Sequence, residues 1–320
     1  MDIDTIYFEG PEKKLEIILV APQPGLRDNT DGRWDRVVRA SGAGIVSRVA
    51  NAQVDAYLLS ESSLFVWDDA VLIITCGQTT LVRALQEILR FVDRDRIAFV
   101  FYERKNFIFP DRQPSDFEAD AAELSAVFPG KSYRLGPANH DHLHVFYYHA
   151  AGNAPERDAT LQVLMNDLHP SVMTPFSVQS TPDPETARRR AGLDRFYPDA
   201  LTDGYLFAPR GYSLNGIRGP EYFTVHVTPQ AAGSYTSFET NIVEADYSRL
   251  IRDVVTIFRP KTCSIALTTT FHEQCQRLHG QVGRALPGYR MTERSLYEFD
   301  CGYMITFMSY GDQAEETQRP

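Results

Sequence analysis

Short runs of β-branched and aromatic residues recur along the chain, and in several of them apolar and polar positions alternate. Such runs predict β-strands, because successive side chains of a strand point to opposite faces of a sheet. The predicted strands are Leu15–Val20, Val54–Leu59, Val71–Thr75, Ile97–Tyr102, Tyr222–Thr228, Ser264–Thr269 and Tyr303–Met308.

Other segments carry apolar residues every three or four positions, a spacing that predicts helices with one buried face. The clearest stripe covers Thr80–Val92, and another over Tyr247–Phe258 ends before a proline. Ser115, followed three residues later by Glu118, matches a capping box, so we expect a third helix to begin there. Shorter helices are predicted over Thr160–Leu168 and Pro184–Ala191.

Groups of strands and helices follow one another twice, in two parts of comparable size. The strands meander instead of alternating strictly with helices, which favours antiparallel sheets covered by helices and hence the α+β class. We expect one domain over residues 1–320, with pseudo-repeat halves of about 1–150 and 160–320. Because the sequence contains no clean internal repeat, a duplicated half is inferred from the order of elements alone.

The composition is that of a globular protein, with 43% hydrophobic and 23% charged residues. A formal net charge of −10 argues against non-specific binding to nucleic acid. No segment approaches the roughly 20 apolar residues of a membrane span, and the acidic N-terminus does not resemble a secretory signal. Four cysteines without disulfide or metal spacing predict a cytoplasmic protein with reduced thiols.

The segment His140–His144 (HDHLH) carries three histidines at alternate positions. On a strand their imidazoles would share one face, as a zinc site requires. Because no further ligand follows at a readable spacing, a solvent-facing strand edge explains the histidines better, and we expect no metal.

The segment Leu59–Phe65 (LSESSLF) interrupts an apolar stretch with polar residues that include a serine pair. Taken alone, it is typical of a tight turn between two strands. Four further segments change this interpretation. They are Tyr7–Glu16 (YFEGPEKKLE), Thr75–Gly77 (TCG), Phe207–Gly216 (FAPRGYSLNG) and Phe223–Pro229 (FTVHVTP).

Together these segments strongly resemble the eukaryotic-type S-adenosylmethionine decarboxylases, the pyruvoyl enzymes of spermidine synthesis. The resemblance extends from about Tyr7 to about Phe307 and includes Phe101–Phe107 (FYERKNF) and Ser237–Asn241 (SFETN). It implies a four-layer α-β-β-α sandwich of two antiparallel sheets, with S-adenosylmethionine as substrate and neither metal nor pyridoxal phosphate as cofactor. It leaves open whether the protein is a monomer or a homodimer.

The resemblance also implies that the chain cleaves itself between Glu61 and Ser62, into chains 1–61 and 62–320. The Ser62 hydroxyl would attack the Glu61 carbonyl, and an N-to-O acyl shift would give an ester. Elimination and hydrolysis would then leave a pyruvoyl group at position 62. This group would form a Schiff base with the substrate amine and accept the electrons that decarboxylation leaves, the role that pyridoxal phosphate plays in other enzymes.

Side chains outside the cleavage site receive roles from the same resemblance. Ser213 and His226 would assist processing, by stabilising an oxyanion and by removing the Cα proton of the ester. Cys76 would donate a proton to the substrate's α-carbon, since a thiol is mostly protonated at cellular pH. The other matching site residues are the adenine-sandwiching Phe8 and Phe207 and the acids Glu9 and Glu12.

The chain also departs from the family pattern. Gln230 stands where the family has the acid that holds the ribose hydroxyls, so a charge-assisted hydrogen bond worth about 1–2 kcal/mol is lost. Animal members bind putrescine in a remote acidic cluster, of which one acid is replaced here by Gln162 and a lysine by Ile74. We therefore expect weak or absent putrescine activation at this vestigial site. Its other matching residues are Glu16, Asp158 and Glu239.

An active decarboxylase of S-adenosylmethionine is the function that the sequence favours. A non-catalytic regulatory paralogue is a second possibility, but it would have no need of intact processing and proton-donor residues. A pyruvoyl decarboxylase adapted to arginine or ornithine is the third. Gln230 supports this last alternative, whereas Phe8 and Phe207 indicate a purine-bearing substrate.

Overall fold

A computed structural model describes residues 8–150, 158–283 and 286–313 of the 320-residue chain. Tyr7, the first residue of the N-terminal family segment, lies outside these ranges, as do most of the link between the predicted halves and the last seven residues. Within the described ranges the chain forms two eight-stranded antiparallel sheets and seven α-helices.

The strands of the first sheet are β1 (Lys13–Leu19), β2 (Ile45–Ala50), β3 (Asp55–Leu59), β4 (Ser62–Val66), β5 (Ala70–Thr75), β6 (Ile97–Lys105), β7 (Lys131–Leu135) and β8 (Leu143–His149). Those of the second are β9 (Ala159–Leu168), β10 (Leu201–Leu206), β11 (Tyr212–Arg218), β12 (Glu221–Thr228), β13 (Tyr235–Thr240), β14 (Pro260–Thr270), β15 (Tyr289–Glu298) and β16 (Tyr303–Asp312). The helices are α1 (Arg33–Ser41), α2 (Leu81–Ile88), α3 (Phe117–Val127), α4 (Pro170–Met173), α5 (Pro184–Ala191), α6 (Ser248–Phe258) and α7 (Glu273–Gln281).

The two sheets have the same strand order. The first runs β2-β3-β4-β5-β1-β6-β8-β7 and the second β10-β11-β12-β13-β9-β14-β16-β15, so each strand of the first sheet corresponds to the strand eight numbers later. A duplicated half remains our hypothesis for this correspondence.

Apolar side chains form separate cores on the two faces of each sheet. Trp34, Leu85 and Leu124 from α1, α2 and α3 pack on the outer face of the first sheet, and helix α6 covers the second in the same way. A further cluster, which includes Phe101 of the first sheet and Phe307 of the second, fills the space between the sheets. This arrangement confirms the predicted four-layer α-β-β-α sandwich.

None of the described helices is long and apolar enough to cross a membrane.

The seven predicted strands form, and so do the helices predicted over Thr80–Val92, Tyr247–Phe258 and Pro184–Ala191, with ends that differ by a few residues. The helix predicted over Thr160–Leu168 is wrong, because this segment lies in β9 at the centre of the second sheet. Such a strand is buried on both faces, so its apolar residues need not alternate and can imitate a helical stripe.

The N-terminus of α3 is capped by Asp116 rather than by the predicted Ser115. The Asp116 carboxylate accepts a hydrogen bond from the backbone N–H of Ala119 at 2.7 Å. Ser115 instead donates its hydroxyl hydrogen to Asp120 at 2.6 Å. The pattern therefore located this helix and missed its cap by one residue.

The solvent-facing strand edge predicted for His140–His144 is correct only for the end of this segment. Strand β8 begins only at Leu143, so the preceding turn holds His140 and His142, and only His144 lies on the strand. The His144 ring stacks on Phe117, with ring centroids 4.7 Å apart. In the described ranges, no group of three or more His, Cys, Asp or Glu side chains is placed to hold a metal ion.

Candidate active site

The polar segment in the first sheet forms a tight hairpin turn between β3 and β4. Leu59 pairs with Ser62 across it, which leaves Ser60 and Glu61 as the turn residues. Ser62 is 2% exposed and has a φ of +130°, a backbone conformation that serine rarely adopts. Backbone strain is therefore concentrated at the residue whose amide bond is predicted to break.

Cys76 lies against this strained turn because β5, which leads into it, pairs with β4. The backbone N–H of Cys76 donates to the Glu61 carbonyl oxygen at 2.9 Å, and the thiol lies 3.4 Å from the same oxygen. The Ser62 hydroxyl donates to the Cys76 sulfur at 3.5 Å. Burial, followed by the nearby Glu61 carboxylate, raises the pKa of the Cys76 thiol above its usual value, so the thiol keeps its proton.

The Glu61 side chain is held in a confined space beside the turn. Its Oε2 atom is buried and has no hydrogen-bond partner among the described residues. Burial raises the pKa of the Glu61 carboxyl to about 7. A Cβ at Gly77, where φ is +64°, would lie 2.8 Å from this Oε2 atom, so both the backbone and the available space require glycine there.

The second sheet contributes a histidine that reaches the residue after the cleavage site. His226 Nε2 lies 3.1 Å from the Ser63 hydroxyl and 2.7 Å from the Thr224 hydroxyl, while Nδ1 lies 2.9 Å from the Ser213 hydroxyl. Ser213 and His226 are directly opposite each other on β11 and β12. Burial lowers the pKa of His226 to about 3, so the ring is neutral at cellular pH.

A cavity of about 500 Å³ opens onto these groups from the end of both sheets. This volume is in the range of small-molecule sites. The predicted site residues that line it are Phe8, Ser62, Cys76, Phe207, Ser213, His226 and Gln230. The structure thus brings together seven residues that are spread over more than 220 positions of the sequence.

The two predicted site acids are engaged in other contacts. The Glu9 carboxylate accepts hydrogen bonds from the backbone N–H groups of Phe109 at 2.5 Å and Ile108 at 3.4 Å. Glu12 accepts a hydrogen bond from the Ser237 hydroxyl at 2.8 Å. Desolvation by the surrounding protein, followed by nearby carboxylates, raises the pKa of Glu12 to about 8.

Gln230 contacts the aromatic residue that is expected to stack on the substrate. Its Oε1 atom accepts the backbone N–H of Phe8 at 2.8 Å, and its Nε2 atom donates to the Phe8 carbonyl oxygen at 2.5 Å. A carboxylate could make only the first of these two bonds, because it has no hydrogen to donate. The glutamine at this position therefore fixes the backbone of Phe8 in a way that a carboxylate cannot.

The residues matched to a putrescine site lie between the sheets, where Glu239 contacts a lysine that the sequence analysis overlooked. Lys14 donates to Glu239 at 2.8 Å, and both side chains are almost fully buried. The Gln162 amide donates to Glu239 at 2.9 Å and to Glu103 at 2.8 Å. Beside them is a cavity of about 20 Å³, whose lining includes Lys14, Glu16 and Asp158.

Sequence reasoning also missed Ser63 and Thr224, which contact His226. One signal was available for both. In a strand, neighbouring side chains point to opposite faces, so Ser63 had to face away from Ser62, while Thr224 had to share a face with His226.

Comparison with known proteins points to a single family. The family model for adenosylmethionine decarboxylase matches residues 5–311. The chain is 31% identical to the S-adenosylmethionine decarboxylase proenzyme of Dictyostelium discoideum, over 95% of this chain and 85% of that protein. The proenzyme of Trypanosoma cruzi is 33% identical, over 98% and 90% of the two chains. Among solved structures, the Trypanosoma brucei AdoMetDC-delta26 monomer is similar, with a TM-score of 0.62, 27% identity, and coverage of 78% of this chain and 99% of that one.

Proposed function

The chain belongs to the adenosylmethionine decarboxylase family, and we propose that it decarboxylates S-adenosylmethionine with a pyruvoyl group made from its own Ser62. The single observation that carries this proposal is the geometry at the β3–β4 turn. A buried serine in a strained conformation follows a carbonyl that already accepts a hydrogen bond from the Cys76 N–H. The product of the decarboxylase is the aminopropyl donor of spermidine synthesis.

Self-cleavage begins at the Ser62 hydroxyl. Its oxygen attacks the Glu61 carbonyl carbon, the amide nitrogen leaves, and an ester between Glu61 and the Ser62 side chain results. The Cys76 N–H, 2.9 Å from the Glu61 carbonyl oxygen, is placed to stabilise the negative charge that develops on this oxygen. Relief of the positive-φ conformation at Ser62 favours the shift.

The ester is then cleaved by elimination. A base removes the Cα proton of residue 62, the Glu61 carboxylate leaves, and the resulting dehydroalanine takes up water and loses ammonia. His226 is the base that we propose, since its ring is neutral and lies 3.1 Å from the hydroxyl of the adjacent Ser63. Ser213 orients this ring through the bond to Nδ1.

The described residues fit a pyruvoyl group at position 62, which is buried at the edge of the cavity. When formed, this group supplies a carbonyl that binds the substrate amine and takes up the electrons released with carbon dioxide. Phe8 and Phe207 both line the cavity, which supports a role for them in stacking on the adenine. The raised pKa of the Cys76 thiol and its position in the cavity lining support its role as the donor of a proton to the substrate's α-carbon.

The proposal is tested by mass spectrometry of the purified protein and by assays of carbon dioxide release. We expect chains of residues 1–61 and 62–320, the longer one blocked at its N-terminus, and release from S-adenosylmethionine but not from arginine or ornithine. Ser62→Ala should remain intact and inactive. An uncleaved wild-type chain would favour a regulatory paralogue. Release of carbon dioxide from arginine or ornithine would favour a pyruvoyl decarboxylase adapted to a basic amino acid.

The same proposal places the protein in the cytoplasm, as a monomer or homodimer that binds neither nucleic acid nor membrane. The described cysteines are all buried and unpaired, which suits a reducing compartment.

A further inference from the structure

Lys13 is a fully buried lysine, 1% exposed, to which the proposed mechanism assigns no role. No carboxylate of the described residues lies within ion-pairing distance of its ammonium. Its partners are the Gly77 carbonyl oxygen at 3.1 Å, the Thr79 hydroxyl at 3.4 Å and the Phe107 ring, whose centroid is 4.8 Å away. A buried ammonium without a counter-ion destabilises the fold, so its contacts indicate what it serves.

The two hydrogen bonds reach the segment that carries Cys76. All four backbone polar groups of Cys76 and Gly77 have partners: the N–H groups donate to the carbonyl oxygens of Glu61 and Glu9, at 2.9 and 2.8 Å. In return, the Cys76 carbonyl accepts the Thr79 hydroxyl at 3.1 Å, and the Gly77 carbonyl accepts the Lys13 ammonium. The turn is thus fixed on one side to the scissile carbonyl and on the other to Lys13.

The sheet register places Lys13 in line with the cleavage site. Thr75 of β5 pairs with Lys13 of β1 on one side and with Ser62 of β4 on the other. Directly paired residues of an antiparallel sheet share a face. If the Cys76 turn shifted, the hydrogen bond from the Cys76 N–H to the Glu61 carbonyl oxygen would therefore be displaced as well.

We propose that Lys13 is a positioning residue for self-cleavage, which holds the Cys76–Gly77 turn so that the Cys76 N–H stays directed at the Glu61 carbonyl oxygen. This inference rests on the proposed function, because it concerns the same cleavage step. Burial, followed by the nearby Arg104, lowers the pKa of Lys13 to about 7. What the side chain supplies is therefore a hydrogen bond from its terminal nitrogen to the Gly77 carbonyl oxygen, which depends on its length more than on a fixed charge.

The test follows self-cleavage over time in freshly translated full-length chain, by gel. In Lys13→Met we expect cleavage to slow about 100-fold, the usual cost of misplacing a reacting group by about 1 Å. Lys13→Arg should restore the rate to within about tenfold of wild type. The matched control is Lys105→Met, which removes another buried ammonium, one bound to Asp141 at 3.0 Å and not to the turn, and should cleave at the wild-type rate.

Wild-type cleavage by a Lys13→Met chain would overturn the inference, and so would equal slowing in the Lys105→Met control. If Lys13→Met does not fold, as judged by circular dichroism, Thr79→Val replaces it, because this change removes the hydroxyl that donates to the Cys76 carbonyl and contacts Lys13 and Thr75. We expect it to slow cleavage about tenfold, and an unchanged rate would refute the role of the turn. A wild-type chain that is never cleaved contradicts the proposed function itself.

Discussion

The ammonium of Lys14 lies 2.8 Å from the carboxylate of Glu239, and the pair joins β1 of the first sheet to β13 of the second. Although burial alone would lower the pKa of Lys14, the carboxylates of Glu239, Glu16 and Glu103 raise it above its usual value. The chain therefore supplies a cation to the acidic cluster that matches a putrescine site. The adjoining cavity of about 20 Å³ has room for about one water molecule and not for a diamine.

Putrescine should change the turnover rate of the wild-type enzyme less than twofold. The reason is that Lys14 already supplies a cation to the cluster, paired with Glu239, and that the adjoining cavity is too small for a diamine. Lys14→Ala, which vacates space and exposes uncompensated carboxylates, should lower activity several-fold and make it respond to millimolar putrescine. Gln162→Glu, which keeps Lys14, serves as the control and should remain unresponsive. A several-fold stimulation of wild type would refute this account.

Cys76→Ala should still be cleaved, though more slowly, because the backbone N–H that contacts Glu61 is retained. The processed variant should turn over about 100-fold more slowly and lose activity progressively, since proton delivery by a positioned acid contributes about this much. Carbon dioxide release with time measures both effects. Cys263→Ala, another buried thiol, is the control. A wild-type rate in Cys76→Ala would assign the proton to a different donor.

Gln230→Glu should raise the KM for S-adenosylmethionine about tenfold, with a smaller effect on kcat. A carboxylate cannot donate to the Phe8 carbonyl oxygen and would repel it, so Phe8 would lose its fixed position. Gln230→Ala, which removes both bonds to Phe8, should raise the KM by a similar factor. If Gln230 acted mainly by binding the ribose, Gln230→Glu would lower the KM instead. The position of Phe8 would then not depend on residue 230.

The stability of the protein should depend on Glu12 between about pH 4.5 and pH 8. The pKa of Glu12 is raised to about 8 from an ordinary value of 4.5, so in this window the folded state holds a proton that the unfolded state has lost. The contribution of the Glu12 proton to the free energy of unfolding is complete below pH 4.5. It falls as the pH rises, by at most about 1.4 kcal/mol per pH unit. The glutamine in Glu12→Gln does not titrate in this pH range, so the variant lacks this pH-dependent contribution.

Melting temperatures measured from pH 4 to pH 9 provide the check. The difference between Glu12→Gln and wild type should be constant at low pH and shift in favour of the variant up to about pH 8. Glu123→Gln, which changes an exposed carboxylate, should follow wild type throughout. A constant difference across the whole range would show that Glu12 titrates normally.

Much of the site was readable from the sequence because it lies in short, contiguous segments. Residues 59–65 and 75–77, together with the segments around Ser213 and His226, each retain a recognisable order of residue types. Hydrophobic spacing predicted seven of the sixteen described strands and four of the seven described helices. It misassigned β9 as a helix, because burial on both faces removed the alternation. The contacts of Gln230, Lys13 and Lys14 gave no such signal, because each depends on a partner that is distant along the chain.

The amino-acid order alone determined the chemistry that this chain can attempt, since a serine after a carbonyl, a thiol and an imidazole carry their reactivity with them. It also determined the local elements, because hydrophobic spacing acts over a few residues. Only the packing of one sheet on the other decided which groups meet. His226 reaches Ser63, and Lys14 reaches Glu239, across an interface that brings together residues more than 160 positions apart. Burial there also lowers the pKa of His226, because water is excluded once the two sheets have closed.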